Sequence, residues 1–117
     1  MASTHGIRER VRRELIREIK DVARQHLADH GADGLSVRAV TRELGMASSA
    51  VYRYFPSRDA LLTALITDAY EGIGRAANVA EAAVARDDFL GRWLAVFRAV
   101  REWAHQHPHE YALIYGS

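Results

Sequence analysis

Apolar residues recur every three or four positions from Ile7 onward: Ile7, Val11, Leu15, Ile19, Val22, Ala23 and Leu27 form one stripe, with charged rows beside it at Glu14–Glu18 and Arg13–Arg17. That spacing predicts an amphipathic helix over Ile7–His30. Gly31 closes it, because glycine takes the left-handed backbone that ends a helix. Ala32, Asp33 and Gly34 make a short connection. Ser36 then caps a short helix, Val37–Leu44, with Val37, Val40 and Leu44 inward, and Gly45 stops it. After the turn Gly45-Met46-Ala47, a third segment over Ser48–Tyr54 carries Val51 and Phe55 inward. Pro56 breaks the chain and Ser57 caps a fourth helix, which runs from Arg58 to near Ala77. Its apolar side is Leu61, Leu62, Leu65, Ile66, Ala69 and Ile73, and Gly72 and Gly74 weaken its end. Beyond an Ala-rich stretch over Asn78–Ala85, Asp87 or Asp88 starts a fifth helix through His105. Its inner face is expected to be Phe89 or Leu90, Trp93, Leu94, Phe97, Val100 and Trp103. Pro108 ends that helix, and Glu110–Tyr115 begin another. No strand-like alternation, repeat or low-complexity run interrupts the pattern, so the expected fold class is all-α.

Composition narrows the chemistry. The chain has 117 residues, long enough to hide roughly two-thirds of its unfolded surface without covalent staples. It has no cysteine, which removes disulfides, thiolate metal sites and cysteine nucleophiles. No window approaches a membrane span and the first residues lack a signal-peptide core, so a soluble cytoplasmic protein is expected. Net charge is +1, but residues 1–60 carry eleven Lys and Arg against eight Asp and Glu, and the remainder is net acidic. The asymmetry points to a polyanionic partner for the first half alone. Fifteen of the sixteen basic residues are arginine, the side chain that forks phosphates.

Two short helices separated by a glycine turn and braced by a longer one are the layout of a helix-turn-helix DNA reader. Val37, Val40, Leu44, Val51 and Phe55 can fill a small core with the first helix. That leaves Ala47, Ser48, Ser49, Tyr52 and Arg53 on the exposed start and face of the second short helix, where small side chains permit close approach to base edges.

Residues 35–65 resemble the DNA-binding region of the TetR/AcrR family of bacterial regulators. The stretch Val51-Tyr52-Arg53-Tyr54-Phe55-Pro56-Ser57-Arg58-Asp59-Ala60-Leu61-Leu62 looks like that family's join between recognition helix and fourth helix. The resemblance covers about residues 7–75. Trp93–Ile114, with Trp103, Pro108, Glu110 and Tyr111, resembles the start of the ligand-binding domain in one actinobacterial-type branch. The resemblance over residues 35–65 implies that Ser36 caps the second helix and meets phosphate, and that Arg38 falls near the groove. Ala47, Ser48 and Ser49 would read bases, Tyr52 and Tyr54 would touch the backbone, and Arg58, where the family has lysine, would offer charge to a phosphate. Thr41 stands where alanine is usual, Ala47 where serine is usual and Tyr54 where histidine is usual; Ala47 offers a methyl to thymine instead of a hydroxyl.

Each feature also has a plainer account. Ser36 and Ser57 are explained by capping alone, and Tyr52 and Tyr54 by half-burial. Arg8, Arg10, Arg12 and Arg13 read as a solvated helix face or as an arm on DNA. Tyr70, Trp93, Phe97, Trp103 and Tyr111 read as core, or, by the resemblance, as the lining of a pocket for an apolar or aromatic inducer. His105, His107 and His109 alternate around Pro108 in poor geometry for a shared metal. Asp87 and Asp88 suit a helix cap better than a catalytic pair. No enzymatic motif, cofactor or metal site is expected.

The expected organisation is a helix-turn-helix domain over 7–56 and a partial helical ligand-binding and dimerisation domain over 57–117. The expected function is a ligand-responsive repressor that binds a palindromic operator in double-stranded DNA as a homodimer. The rival readings are a helical protein-interaction module, a fragment that no longer reads DNA specifically, and a non-specific nucleoid binder. Family members are longer than this chain.

Overall fold

The structure, a computed structural model, describes residues 4–115. All of its regular elements are helical: α1 (Thr4–His30), a single 3-10 turn (Ala32–Gly34), α2 (Val37–Leu44), α3 (Ser48–Tyr52), α4 (Arg58–Ala82), α5 (Phe89–Gln106) and α6 (Pro108–Tyr115). The chain divides into two compact units between Thr63 and Ala64, inside α4.

Local chemistry sets the boundaries of the first unit. Gly31 takes φ 75° and its N–H bonds to Leu27 O at 2.8 Å, closing α1. The Ser36 hydroxyl accepts from Ala39 N at 3.2 Å, opening α2, and Gly45 at φ 65° closes it. The core is then Ile19, Ala23 and Leu27 of α1, Leu35, Val37 and Val40, Val51 and Phe55, and Leu61 of α4, all buried. Thr41 is buried too, and its hydroxyl donates to Val37 O at 2.8 Å, so the hydroxyl that replaces the usual alanine is satisfied within α2.

The sequence expectations for α1, α3, α4 and α6 are corrected. The apolar stripe of α1 is buried only in its later part; Ile7 and Val11 are exposed, because those turns run past the core. α3 ends at Tyr52, not Tyr54: Pro56 disfavours helical geometry at Phe55, and Tyr54 and Phe55 both donate to Val51 O in a tightened close. α4 continues to Ala82, because the alanine-rich run that follows Gly74 is strongly helix-forming. Gly72 has a packing role as well, since a Cβ there would lie 3.1 Å from Nε1 of Trp103. α6 starts at Pro108, whose fixed φ and missing N–H suit a first helical position.

The second unit buries little. α5 opens on Asp88, whose carboxylate accepts from Gly91 N at 2.9 Å, and α5 packs on α6. Arg92 ties α5 back, donating to Glu81 Oε1 at 2.5 Å and to Arg86 O at 3.0 Å. Arg92 beside Glu81, with Arg86 as a weaker second charge, holds the Glu81 carboxyl below the usual carboxylate range. The expected inner face of α5 is corrected: Phe89 (74% exposed), Leu90, Trp93 (67%), Leu94 and Phe97 (60%) stand at the surface. Their periodicity defines a face, but no described element covers it.

Candidate nucleic-acid interface

The expected reading residues are displayed as a set. Ala47, Ser48, Ser49, Tyr52 and Arg53 are all exposed on or beside α3, while Val51 and Phe55 anchor the same segment in the core. Ala47 precedes α3 in extended geometry, so its methyl lies at the start of the helix. No acidic residue lies in α3. Arg38 is exposed on α2. Glu43, also on α2, faces His26 of α1 (Nε2 to Oε1 3.2 Å).

Two residues are placed differently from what the resemblance implies. Arg58 is half-buried and points back into the fold, its Nε donating to Leu35 O at 3.1 Å and its Nη2 to Ala32 O. The guanidinium thus bridges the start of α4 and the connection before α2, and its Nη1 lies 3.8 Å from Asp59. Tyr54 is half-buried under Arg12 of α1, whose guanidinium carbon lies 5.8 Å from the ring centre. Neither partnership is legible from local sequence. The Ser36 hydroxyl serves α2 as its cap and is only partly exposed.

The aromatic set of the second unit does not converge. Trp93 and Phe97 stack with centroids 5.8 Å apart. With Val100, Arg101, Pro108 and Tyr111 they line an open groove of about 820 Å³ on α5 and α6. Trp103 lies elsewhere, against Gly72 and stacked on His107 at 4.4 Å. Tyr70 is exposed on α4 and lines neither place.

Residues 19–65 match the model of the bacterial regulatory proteins, tetR family. The match spans the buried half of α1, the helix-turn-helix and the first turns of α4. Over these residues the chain carries the helix-turn-helix of the TetR family. Its relatives include the HTH-type transcriptional regulator Rv1816 of Mycobacterium tuberculosis and the HTH-type transcriptional regulator Mb1846 of Mycobacterium bovis. Each is 46% identical over 112 residues, 96% of this chain and 48% of the relative. A crystal structure bearing the name regulatory protein SCO4313 superposes with a TM-score of 0.81 at 40% identity, covering 93% of this chain and 51% of that one. The chain therefore spans about half the length of the relatives it matches. None of its described helices is long and apolar enough to cross a membrane.

Proposed function

We propose that this chain carries the DNA-reading part of a transcriptional regulator. α3 enters the major groove, α2 crosses the backbone and α1 braces both. The observation that carries the reading is the α3 surface: exposed, small, hydrogen-bonding and free of acids, on a segment pinned by Val51 and Phe55. In this reading Ala47, Ser48 and Ser49 meet base edges, and Tyr52, Arg53 and Arg38 meet phosphates or sugars. Ser36 and Tyr54 flank them, and Arg58 holds the connection before α2 in place. The protein acts as a cytoplasmic ligand-responsive repressor rather than an enzyme. It binds as a homodimer whose two heads meet a palindrome one helical turn apart, roughly 34 Å. An apolar or aromatic inducer with an acidic group suits the Trp93–Phe97–Tyr111 groove, where Arg101 stands among the lining residues.

The test is a fluorescence-anisotropy titration of the 117-residue chain with the DNA upstream of its own gene, beside a scrambled duplex, at two salt concentrations. Tighter, salt-sensitive binding to the upstream duplex is expected. Equal affinity for both duplexes would favour non-specific binding. No binding to either at low salt would favour a protein-interaction module.

A further inference from the structure

We propose that the leading turns of α1 form a second phosphate-binding strip, working beside the α3 head through Arg8 and Arg12. The inference rests on the DNA-reading assignment and extends it to a surface outside the helix-turn-helix.

Helix periodicity places these arginines. Ile19, Ala23 and Leu27 mark the face of α1 that turns into the core. Stepping back three or four residues at a time along that face gives half-buried Ile16, then Arg12, then Arg8. The inward face thus changes from apolar to basic where α1 passes the edge of the core. The apolar residues of these turns, Ile7 and Val11, lie on the neighbouring face and are exposed. Hydrophobic burial therefore does not explain the orientation of this stretch.

The Arg12–Tyr54 contact fixes where the basic face lies. Tyr54 follows α3 by two residues, so the guanidinium over its ring puts Arg12 next to the closing end of the proposed reading helix. A guanidinium held over a ring through its carbon still carries five N–H donors, more than the ring can engage, so some remain for an anion. Glu9 engages one of them at 3.4 Å, with both side chains about half exposed; such a surface pair is weak and yields to a phosphate. Arg8 lies about 6 Å further along the helix axis. Its side chain is exposed and makes no ion pair or hydrogen bond among the described residues. One strand of a duplex carries a charge about every 3.4 Å of its axis, so two guanidiniums at this separation can follow its backbone. Arg10 and Arg13 belong to other faces of α1 and serve as internal controls.

The experiment measures duplex affinity against salt for the 117-residue chain and for Arg8→Ala, Arg12→Gln, Arg10→Ala and Arg13→Ala, with circular dichroism confirming equal helicity. The slope of log affinity against log salt is expected to fall by about one for Arg8→Ala, with an equal several-fold loss on upstream and scrambled duplexes. Arg12→Gln should behave in the same way, and the two controls should leave the slope unchanged. An unchanged slope in Arg8→Ala would overturn the strip while leaving the α3 reading intact, and so would equal losses in all four variants, which would reflect net charge alone. Loss of duplex binding in the parent chain at every salt concentration would end both proposals together.

Discussion

Replacing Arg58 by alanine removes a charged donor from two backbone carbonyls at once, Leu35 O and Ala32 O. The two carbonyls are not equivalent. Ala32 O keeps a second donor, Leu35 N at 3.2 Å, whereas Leu35 is 2% exposed and its carbonyl loses its side-chain partner. A hydrogen bond from a charged group contributes about 1.5–3 kcal/mol, and leaving a buried acceptor unpaired costs about 1–3 kcal/mol. The Arg58 side chain is 40% exposed, so water replaces part of what is lost. The low end applies, a destabilisation of about 2 kcal/mol. For a domain of this size that lowers the thermal midpoint by roughly 10 °C. Urea and thermal unfolding followed by circular dichroism measure it directly. Arg58→Lys should recover less than half, because an ammonium does not reproduce a planar fork across two acceptors. If the guanidinium instead served a phosphate, Arg58→Ala would leave stability within about 0.5 kcal/mol of the parent, as surface substitutions do, and would lower the salt slope of DNA binding. That result would make Arg58 a phosphate contact and not a brace of the fold.

Ser36→Ala removes the α2 cap and is expected to cost about 1 kcal/mol in urea unfolding. Tyr52→Ala and Arg53→Ala should weaken duplex binding without altering the helical signal; loss of helicity in either would make that residue a core element and not a contact. Glu81→Gln should destabilise the second unit at neutral pH. The Glu81 carboxyl is held below its ordinary value of 4.5, so its contribution is complete above that value and is lost as pH falls through the lower folded value. The difference between Glu81→Gln and the parent in urea unfolding should therefore shrink and vanish in acid; a difference that persists unchanged there would contradict the Arg92–Glu81 account.

The parts of the fold governed by neighbouring residues were legible in sequence. Ser36 and Gly45 bracket α2 at the residues expected, because a cap and a left-handed stop act within one turn. The core triad Val37, Val40 and Val51 follows from spacing within two short helices. What periodicity misses is the partner. It groups Trp93, Phe97 and Leu90 on one face of α5, yet burial needs a second element against that face, and none of the described elements supplies it. In the same way, arginine at position 58 announces a forked donor but not which acceptors it meets, since Leu35 and Ala32 lie 23 and 26 residues away. Sequence alone ends α4 too early because Gly72 and Gly74 count against a helix, whereas the alanine-rich run after them carries it on to Ala82 and the missing side chain of Gly72 makes room for Trp103.

In the proposed reading the exposed surface of α3 is the part of this chain that meets DNA. Amide chemical-shift mapping by nuclear magnetic resonance, on titration with the upstream duplex, tests it most directly. The largest changes are expected at Ser36, Arg38 and Ala47–Tyr54, smaller ones at Arg8 and Arg12, and almost none along α5 and α6. Changes centred on Trp93, Phe97 and Tyr111, with α3 unmoved, would contradict it.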